Sequence, residues 1–430
     1  MTSYVYDGDL GHSLSFDVSN DQFGDLQMIS ALMQVKEYKQ NPIFYIGVGG
    51  SIFKGPVHYN GLIYFGACDR NFYALNTDGE LAWKFETNGP ICGAPCASDG
   101  MVYFGSYDGV FYALDAKTGD LAWKFGTNGK IFCNAFLHDG VVYFGSEDHN
   151  LYAVDAGTGK LAWKFETGDA ITSFPLVHNG MVFIGSADGN LYAISPEGRL
   201  VWRFPTNGPI RWGFAAGKDV IYFGSMDSKV YGLRADGRKV FEFKTRDALG
   251  NTITYHDGMV YFGSRDNNFY AVRDDGTLLW KLALKDMADV GVYHDGVIYM
   301  GGCDNMLRAV EAETGRVMWK FRTNGIIPSE PVVHDGVVYF GCWDCNLYAV
   351  GTDGKLLWKF PTSLSFQSPV NLPPPDSSRT FEVTWNSGVE AESVKKADEA
   401  EISDYGEFKG TYIDTTMTGY LGIRKKGYKK

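Results

Sequence analysis

Aspartate recurs at almost constant spacing through the chain, and a repeated carboxylate can bind metal ions or transfer protons. Each copy lies three residues after a glycine. An aspartate that opens a hairpin turn accepts hydrogen bonds from backbone N–H groups and stabilises the turn. One identical group in every repeat fits this structural role better than a single active site. The eight residues are Asp69, Asp108, Asp148, Asp188, Asp227, Asp266, Asp304 and Asp344.

Cysteine is the second residue type that could carry chemistry. Cys342 and Cys345 form a C-x-x-C pair, and Cys303 and Cys68 lie at the matching turn position of the neighbouring repeats. A thiolate zinc site needs about four ligands around one ion. Cys342 stands where other repeats have a small serine, so burial as a small apolar residue is the favoured interpretation. We therefore expect no metal and keep these four cysteines as the minor alternative.

The repeats differ at a few positions, and a binding site needs such differences because identical repeats cannot build an off-centre site. These positions are expected at one mouth of a central channel. Arg211 and Trp212 are the most suggestive pair, because a cation beside an indole can stack on a planar or sugar-like ligand or anchor a protein loop. Neutral variation is the alternative, and no catalytic residue is predicted. The candidate ligand- or partner-binding residues are Lys54, Phe132, Arg211, Trp212, Arg265, Asp289, Glu330 and Trp343.

The elements that position these residues follow from the repeat, whose glycine recurs every 38 to 40 residues. Each unit reads as four short strands joined by tight glycine turns; in the fourth unit the strands are ITSFPLV, MVFIGS, NLYAIS and RLVWRF. The last strand carries a tryptophan in seven units, and Phe241 replaces it in the fifth. This pattern predicts an all-β, eight-bladed β-propeller of four-stranded antiparallel blades over residues 42–370.

The ends of the chain fall outside the repeat. Residues 42–47 resemble a last strand and residues 363–370 a first strand, so the two segments are expected to latch the seam of the ring; an incomplete ninth blade is the alternative. Residues 1–41 form an N-terminal extension with one short amphipathic helix within 21–40. Residues 371–430 form a C-terminal extension with short β segments, through which copies of the chain could associate.

The composition of the chain disfavours several classes of function. The net charge of −12 disfavours nucleic-acid binding. The sequence contains no run of 18 apolar residues, so no membrane-spanning helix is predicted. The odd number of cysteines, seven, does not suggest a disulfide framework, and the N-terminal segment has no basic start followed by an apolar run. We therefore expect a cytoplasmic protein. Phosphate-binding loops, dinucleotide fingerprints and nucleophile elbows are not found on suitable elements.

The phrases YALDAKTGDLAWKF at 112–125 and YAVDAGTGKLAWKF at 152–165 resemble the tryptophan-docking repeat of quinoprotein-type (PQQ-like) β-propellers. That family includes alcohol and glucose dehydrogenases that hold pyrroloquinoline quinone, and non-catalytic relatives such as the barrel-assembly lipoprotein of bacterial outer membranes. This chain lacks the adjacent Cys-Cys pair of the alcohol dehydrogenases, and its blades are uniform.

The resemblance therefore implies a non-catalytic member of the family. We expect a binding or scaffold module that takes a protein or small ligand at its variable channel face, with no cofactor. A structural assembly subunit joined through its terminal extensions is one alternative. A quinone- or metal-dependent oxidoreductase of the quinoprotein class is the other.

Overall fold

A computed structural model describes residues 50–249 and 252–362, the side chains of 288–290 excepted, together with the backbone of four short strands near the chain ends. Eight four-stranded antiparallel sheets follow one another along the chain and form a ring, which confirms the eight-bladed propeller. Each sheet is one contiguous segment whose strands, here called A to D, pair in chain order. No blade in the described residues therefore borrows a strand from elsewhere in the chain.

The bounds of strands A to D follow the repeat closely. In blades 1 to 4 they are Val57–Tyr59, Leu62–Gly66, Asn71–Asn76 and Leu81–Glu86; Cys96–Ser98, Met101–Gly105, Val110–Asp115 and Leu121–Gly126; Phe136–His138, Val141–Gly145, Asn150–Asp155 and Leu161–Glu166; Leu176–His178, Met181–Gly185, Asn190–Ile194 and Leu200–Pro205. In blades 5 to 8 they are Ala215–Ala216, Val220–Ser225, Lys229–Arg234 and Lys239–Lys244; Thr254–His256, Met259–Ser264, Asn268–Arg273 and Leu278–Ala283; Ala288–His294, Val297–Gly302, Met306–Glu311 and Val317–Arg322; Val332–His334, Val337–Gly341, Asn346–Gly351 and Leu356–Pro361.

The chain divides into two compact units, Gly50–Phe366 and a second unit made of Met1–Gly49 with Gln367–Lys430. In the second unit Ser3–Tyr6 pairs with Leu14–Asp17, and Glu401–Ile402 pairs with Phe408–Lys409. The predicted helix within 21–40 and the predicted latch segments 42–47 and 363–370 lie outside the described residues.

Strand A is shorter than predicted in blade 4, where it covers Leu176–His178 rather than seven residues. Before Leu176, a serine side chain forms the hydrogen bonds to strand B that the backbone of a longer strand A would have formed. The Ser173 hydroxyl donates to the carbonyl of Gly185 at 2.7 Å and accepts from its N–H at 2.9 Å. Cys133 and Ser329 make the same pair of bonds to the equivalent glycines in blades 3 and 8.

The repeated glycine of strand B allows neighbouring blades to approach closely. A Cβ added at Gly145 would lie 2.1 Å from Cγ2 of Ile171, a fully buried residue that leads into the next blade. The same contact closes the ring, because Gly341 of blade 8 faces Ile52 of blade 1.

The repeated aspartates have the structural role predicted from the sequence. The Asp148 carboxylate accepts from the Tyr152 hydroxyl at 2.7 Å, from the N–H of Asn150, and from the N–H of Asn128 in the preceding blade at 2.9 Å. Burial alone would raise the pKa of this carboxyl, yet the hydrogen bonds lower it below its usual value. The group is thus an ionised turn cap that also ties two blades together.

Tryptophans on strand D dock onto the next blade. The Trp163 indole donates to the carbonyl of Pro196 at 2.7 Å and lies over Gly198, whose φ is +82° and whose added Cβ would meet the indole ring at 2.7 Å. Trp358 of blade 8 donates in the same way to Thr77 of blade 1 at 2.8 Å, so docking closes the ring. Seven blades carry such a tryptophan; Phe241 takes its place in blade 5.

Two histidine rings stack across the junction of blades 8 and 1. We predict that this contact makes the stability of the propeller sensitive to acid. The His58 and His334 ring centroids are 3.6 Å apart, and Asp335 lies 3.2 Å from Nε2 of His334. Burial, followed by the His334 charge, lowers the pKa of His58, while Asp335 acts in the opposite sense. Because the folded state disfavours protonated His58, this contribution to stability is complete above about pH 6.5 and is lost as the pH falls below that value.

We therefore expect the Tm of the wild type to fall more between pH 7.5 and pH 5 than the Tm of His58→Phe, which keeps a ring against His334 but cannot be protonated. Thermal unfolding of both proteins at matched ionic strength measures the difference. Parallel pH profiles would contradict the assignment.

Candidate functional site

Aromatic side chains from non-neighbouring blades meet at the axis of the ring. Phe53 of blade 1 lies 5.6 Å, centroid to centroid, from Phe132 of blade 3 and 5.5 Å from Trp343 of blade 8. Phe132 in turn lies 6.0 Å from Trp212 of blade 5. Blades that are not adjacent in the ring can touch only near its centre, so these four residues, here called the axial cluster, lie at the axis of the ring.

Lys54 is buried within the axial cluster, with only 4% of its surface exposed. Its Nζ lies 4.8 Å from the ring of Trp212 and 4.7 Å from the ring of Phe174, a residue of blade 4. The ammonium of blade 1 thus reaches across the axis to two rings on the far side. Cation–π contacts in a desolvated setting are worth about 2 kcal/mol, so Lys54 helps to fix the position of Trp212.

The accessible part of the cluster is aromatic. Phe53, Tyr107 and Trp212 are partly exposed, whereas Phe132 and Trp343 are buried beneath them. The indole Nε1 of Trp212 is buried and has no hydrogen-bond partner among the described residues. The surface offered to a ligand is therefore a set of ring faces and edges on a fixed base.

Charged groups line one side of this surface. Burial raises the pKa of Glu147, and the charges of Lys130 and Arg211 partly offset that rise. Burial likewise lowers the pKa of Arg211, against the opposing influence of Asp169 and Glu147. Lys130 also lies over the Tyr107 ring, 5.3 Å from its centroid. Half-buried charges of both signs thus border the aromatic surface from blade 2 to blade 5.

The remaining predicted residues lie outside the aromatic contacts described above, although Glu330 also reaches a non-adjacent blade. Glu330 accepts a hydrogen bond from the Thr252 hydroxyl at 2.6 Å, which connects blade 8 to blade 6. Arg265 lies in the B–C turn of blade 6, where its backbone N–H donates to the carbonyl of Ala248. The Asp289 backbone belongs to strand A of blade 7, and its side chain lies outside the described residues.

The four cysteines considered as metal ligands do not converge. Cys342 donates to the carbonyl of Gly325, as the serines of other blades do to the equivalent carbonyls, which confirms its role as a replacement for serine. Cys345 contacts the carbonyl of Trp343 instead. Within the described residues, no group of three or more His, Cys, Asp and Glu side chains is placed to hold a metal ion.

Sequence reasoning identified Lys54 and three members of the axial cluster, Phe132, Trp212 and Trp343, but omitted other residues there. Phe53 and Tyr107 occupy the same variable positions as the chosen residues, so the signal was present. Phe174 lies one residue beyond those positions, directly after the capping Ser173. Only the contacts across the axis single it out.

A family model described as outer membrane protein assembly factor BamB, built on PQQ-like repeats, matches residues 34–131, 127–203, 187–287 and 271–376. These matches together span most of the chain. The chain belongs to the PQQ-like β-propeller family. A comparison with curated proteins finds no significant match.

Solved structures show the same fold as this PQQ-like propeller. The computationally designed Ika8 protein is 16% identical, with a TM-score of 0.63 over 70% of this chain and 96% of its own. BamB from Moraxella catarrhalis is 18% identical, with a TM-score of 0.59 over 70% and 93%. A europium-containing methanol dehydrogenase is 13% identical, with a TM-score of 0.57 over 69% and 81%. The fold therefore occurs in a designed protein, an assembly factor and an enzyme, and does not decide function. No helix in the described part of this propeller is both long enough and apolar enough to cross a membrane.

Proposed function

We propose that this PQQ-like propeller is a non-enzymatic binding module that holds a protein partner or small ligand at the axial cluster. The observation that carries the proposal is the partly exposed surface of Phe53, Tyr107 and Trp212, held on a buried base at the ring centre. Aromatic groups on a rigid base supply contact area with little loss of side-chain entropy, and tryptophan, tyrosine and arginine are enriched among the residues that dominate binding energy.

The bordering charges support selective binding. The charges of Asp169 and Glu147 both act on the Arg211 guanidinium, and the charge of Arg211 acts on Glu147, so a partner must satisfy both signs when it covers them. Charge complementarity at such a rim favours particular partners more than it adds affinity. The matching family includes an assembly factor, which supports a role in contact with other proteins. A cytoplasmic location remains the prediction from the sequence.

The test compares two double variants within blade 5. Arg211→Ala with Trp212→Ala should weaken capture of the native partner at least about tenfold, because it removes an expected hot-spot pair. Lys218→Ala with Asp219→Ala changes two exposed residues at the opposite end of strand A and should leave capture unchanged. Quantitative co-purification from the source organism, followed by a binding titration with the captured molecule, measures both.

Equal capture by the two variants would show that the axial cluster is not the site. Both variants must show a cooperative denaturation transition above the assay temperature, so that loss of binding is not loss of fold. An absorbance band of a bound quinone in the purified protein would instead favour the oxidoreductase alternative.

A further inference from the structure

Two thiols from neighbouring blades lie in contact with each other and pack against the axial cluster. Cys68 is in the B–C turn of blade 1, and Cys92 lies on the segment that leads into strand A of blade 2. Their Sγ atoms are 3.6 Å apart, and both residues are buried, with 2% and 1% of their surfaces exposed. Seven cysteines are present in the chain, and this pair is not the one that the C-x-x-C spacing suggests.

Backbone hydrogen bonds hold the two thiols side by side. The N–H of Ile91 donates to the carbonyl of Ala67 at 3.1 Å, so the residues that immediately precede the two cysteines are joined. The N–H of Cys68 donates to the carbonyl of Ser51 at 2.9 Å, which fixes the turn from the other side. A disulfide has an S–S distance of about 2.05 Å, so the sulfurs must approach by roughly 1.5 Å, a movement within reach of side-chain rotation.

We propose that Cys68 and Cys92 form a reversible oxidation site that closes into a disulfide between blades 1 and 2 on reaction with hydrogen peroxide. In the first step one sulfur attacks the peroxide, the O–O bond breaks, and a sulfenic acid and one water form. In the second step the other thiol attacks that sulfur, the S–O bond breaks, the S–S bond forms, and a second water leaves. Overall two thiols lose two electrons and two protons, and one peroxide is reduced to two waters.

The surroundings of the pair set the rate of this reaction. The hydrogen bond with Cys92 and then burial raise the pKa of the Cys68 thiol. Because the thiolate is the attacking species, oxidation is slow near neutral pH and faster at higher pH. A peroxide is small enough to reach a buried thiol, whereas a bulky disulfide reagent has to open the cluster first.

Closure of the disulfide alters the base of the axial cluster. Cys68 and Cys92 pack with Phe132, and Phe53, Tyr107 and Trp212 lie against the same group. Oxidation therefore draws the B–C turn of blade 1 and the segment before strand A of blade 2 closer together, and the exposed rings pack against both. The oxidation site itself stands on the sulfur contact and does not depend on the proposed binding function.

The experiment uses the full chain, purified with reductant, desalted and treated with hydrogen peroxide at pH 7 and pH 9. Remaining thiols are blocked under denaturing conditions, and the mass and the peptide map are recorded. We expect two fewer blocked thiols than in the reduced protein, a linked peptide pair that contains Cys68 and Cys92, faster formation at pH 9, and reversal by dithiothreitol. Oxidised protein should also show a Tm higher by several degrees, since a cross-link restricts the unfolded chain.

Matched variants separate this pair from the others. Cys342→Ala with Cys345→Ala should still form the linked peptide, and Cys68→Ala should not. Cys133, whose pKa burial raises to about 12, is an isolated buried thiol in the same protein and should remain unmodified. Free thiols at both Cys68 and Cys92 after peroxide treatment, or a link between other cysteines, would overturn the proposal; the wild-type peptide map decides this even where a variant fails to fold.

Discussion

Replacing Gly145 with alanine should destabilise the propeller by about 3 kcal/mol, because the added methyl group overpacks the interface between two blades. The new Cβ would lie 2.1 Å from Cγ2 and 2.9 Å from Cβ of Ile171. Ile171 is fully buried among close-packed side chains, so it has little room to withdraw. The shift of the denaturant midpoint, at constant slope, measures the effect.

Two further variants test the cause. Gly126→Ala places a methyl group on strand D of blade 2, where an added Cβ has no atom within 4 Å, and should change stability little. Gly145→Ala combined with Ile171→Ala should cost less than the sum of the two single changes, since the shortened side chain relieves the clash. Strict additivity would count against the close approach of blades as the reason for glycine.

Replacing Trp163 with alanine is expected to cost a similar amount, about 3 kcal/mol. The substitution removes both the indole surface that packs on blade 4 and the hydrogen bond to the carbonyl of Pro196. Trp163→Phe keeps a ring but loses the donor, and should cost about 1 kcal/mol. Denaturation of the three proteins under one set of conditions provides the comparison. Equal losses for alanine and phenylalanine would assign the whole effect to the hydrogen bond rather than to packing.

The junction of blades 5 and 6 shows how the ring is held together where the docking tryptophan is absent. Phe241 takes the tryptophan position there, and Gly276 of blade 6, the counterpart of Gly198, has no atom within 4 Å of an added Cβ. Stacking of Tyr222 on Tyr255, with centroids 5.1 Å apart, joins these two blades instead. A phenylalanine is therefore compatible with the ring, provided that other contacts replace docking.

The number of blades and the roles of the repeated residues can be predicted from the sequence, because the same pattern of glycine and aspartate occurs eight times. The spacing of Gly145 and Asp148, copied in every unit, is enough to place the glycine at the end of one strand and the aspartate in the turn that follows it. The role of Cys342 followed from comparison with serine at the same position in other blades. In each case the information was local or periodic, which is the kind that one sequence carries.

The axial cluster could be predicted only in part, because contacts across the ring join residues far apart in sequence. Position along strand A indicates that Lys54 and Trp212 lie at the same end of the ring, but not that the ammonium reaches the indole. The same positions in blades 4 and 8 hold Ser173 and Ser329, whose hydroxyls cap backbone groups and leave no side chain for a ligand. Periodicity therefore indicates which positions vary between blades, but it does not separate the residues of the proposed binding surface from the structural ones. For the same reason the contact between Cys68 and Cys92 was not foreseen.

The closure of the ring at Thr362 and Gly50 bears on how the order of the polypeptide relates to its shape. The Thr362 hydroxyl donates to the carbonyl of Gly50 at 2.7 Å, so the first and last described residues of the propeller are neighbours. Since every blade is a contiguous segment, the break in the backbone at this joint separates two whole blades and interrupts no sheet. Seven of the eight joints carry a docked tryptophan and one is joined by stacked tyrosines, but every joint in the described residues lies between two complete sheets. The order of the blades around the ring is therefore circular, although the chain that forms them is linear. A circular permutant that joins residues 50 and 362 by a short linker and begins at another blade junction would preserve all eight sheets of the propeller.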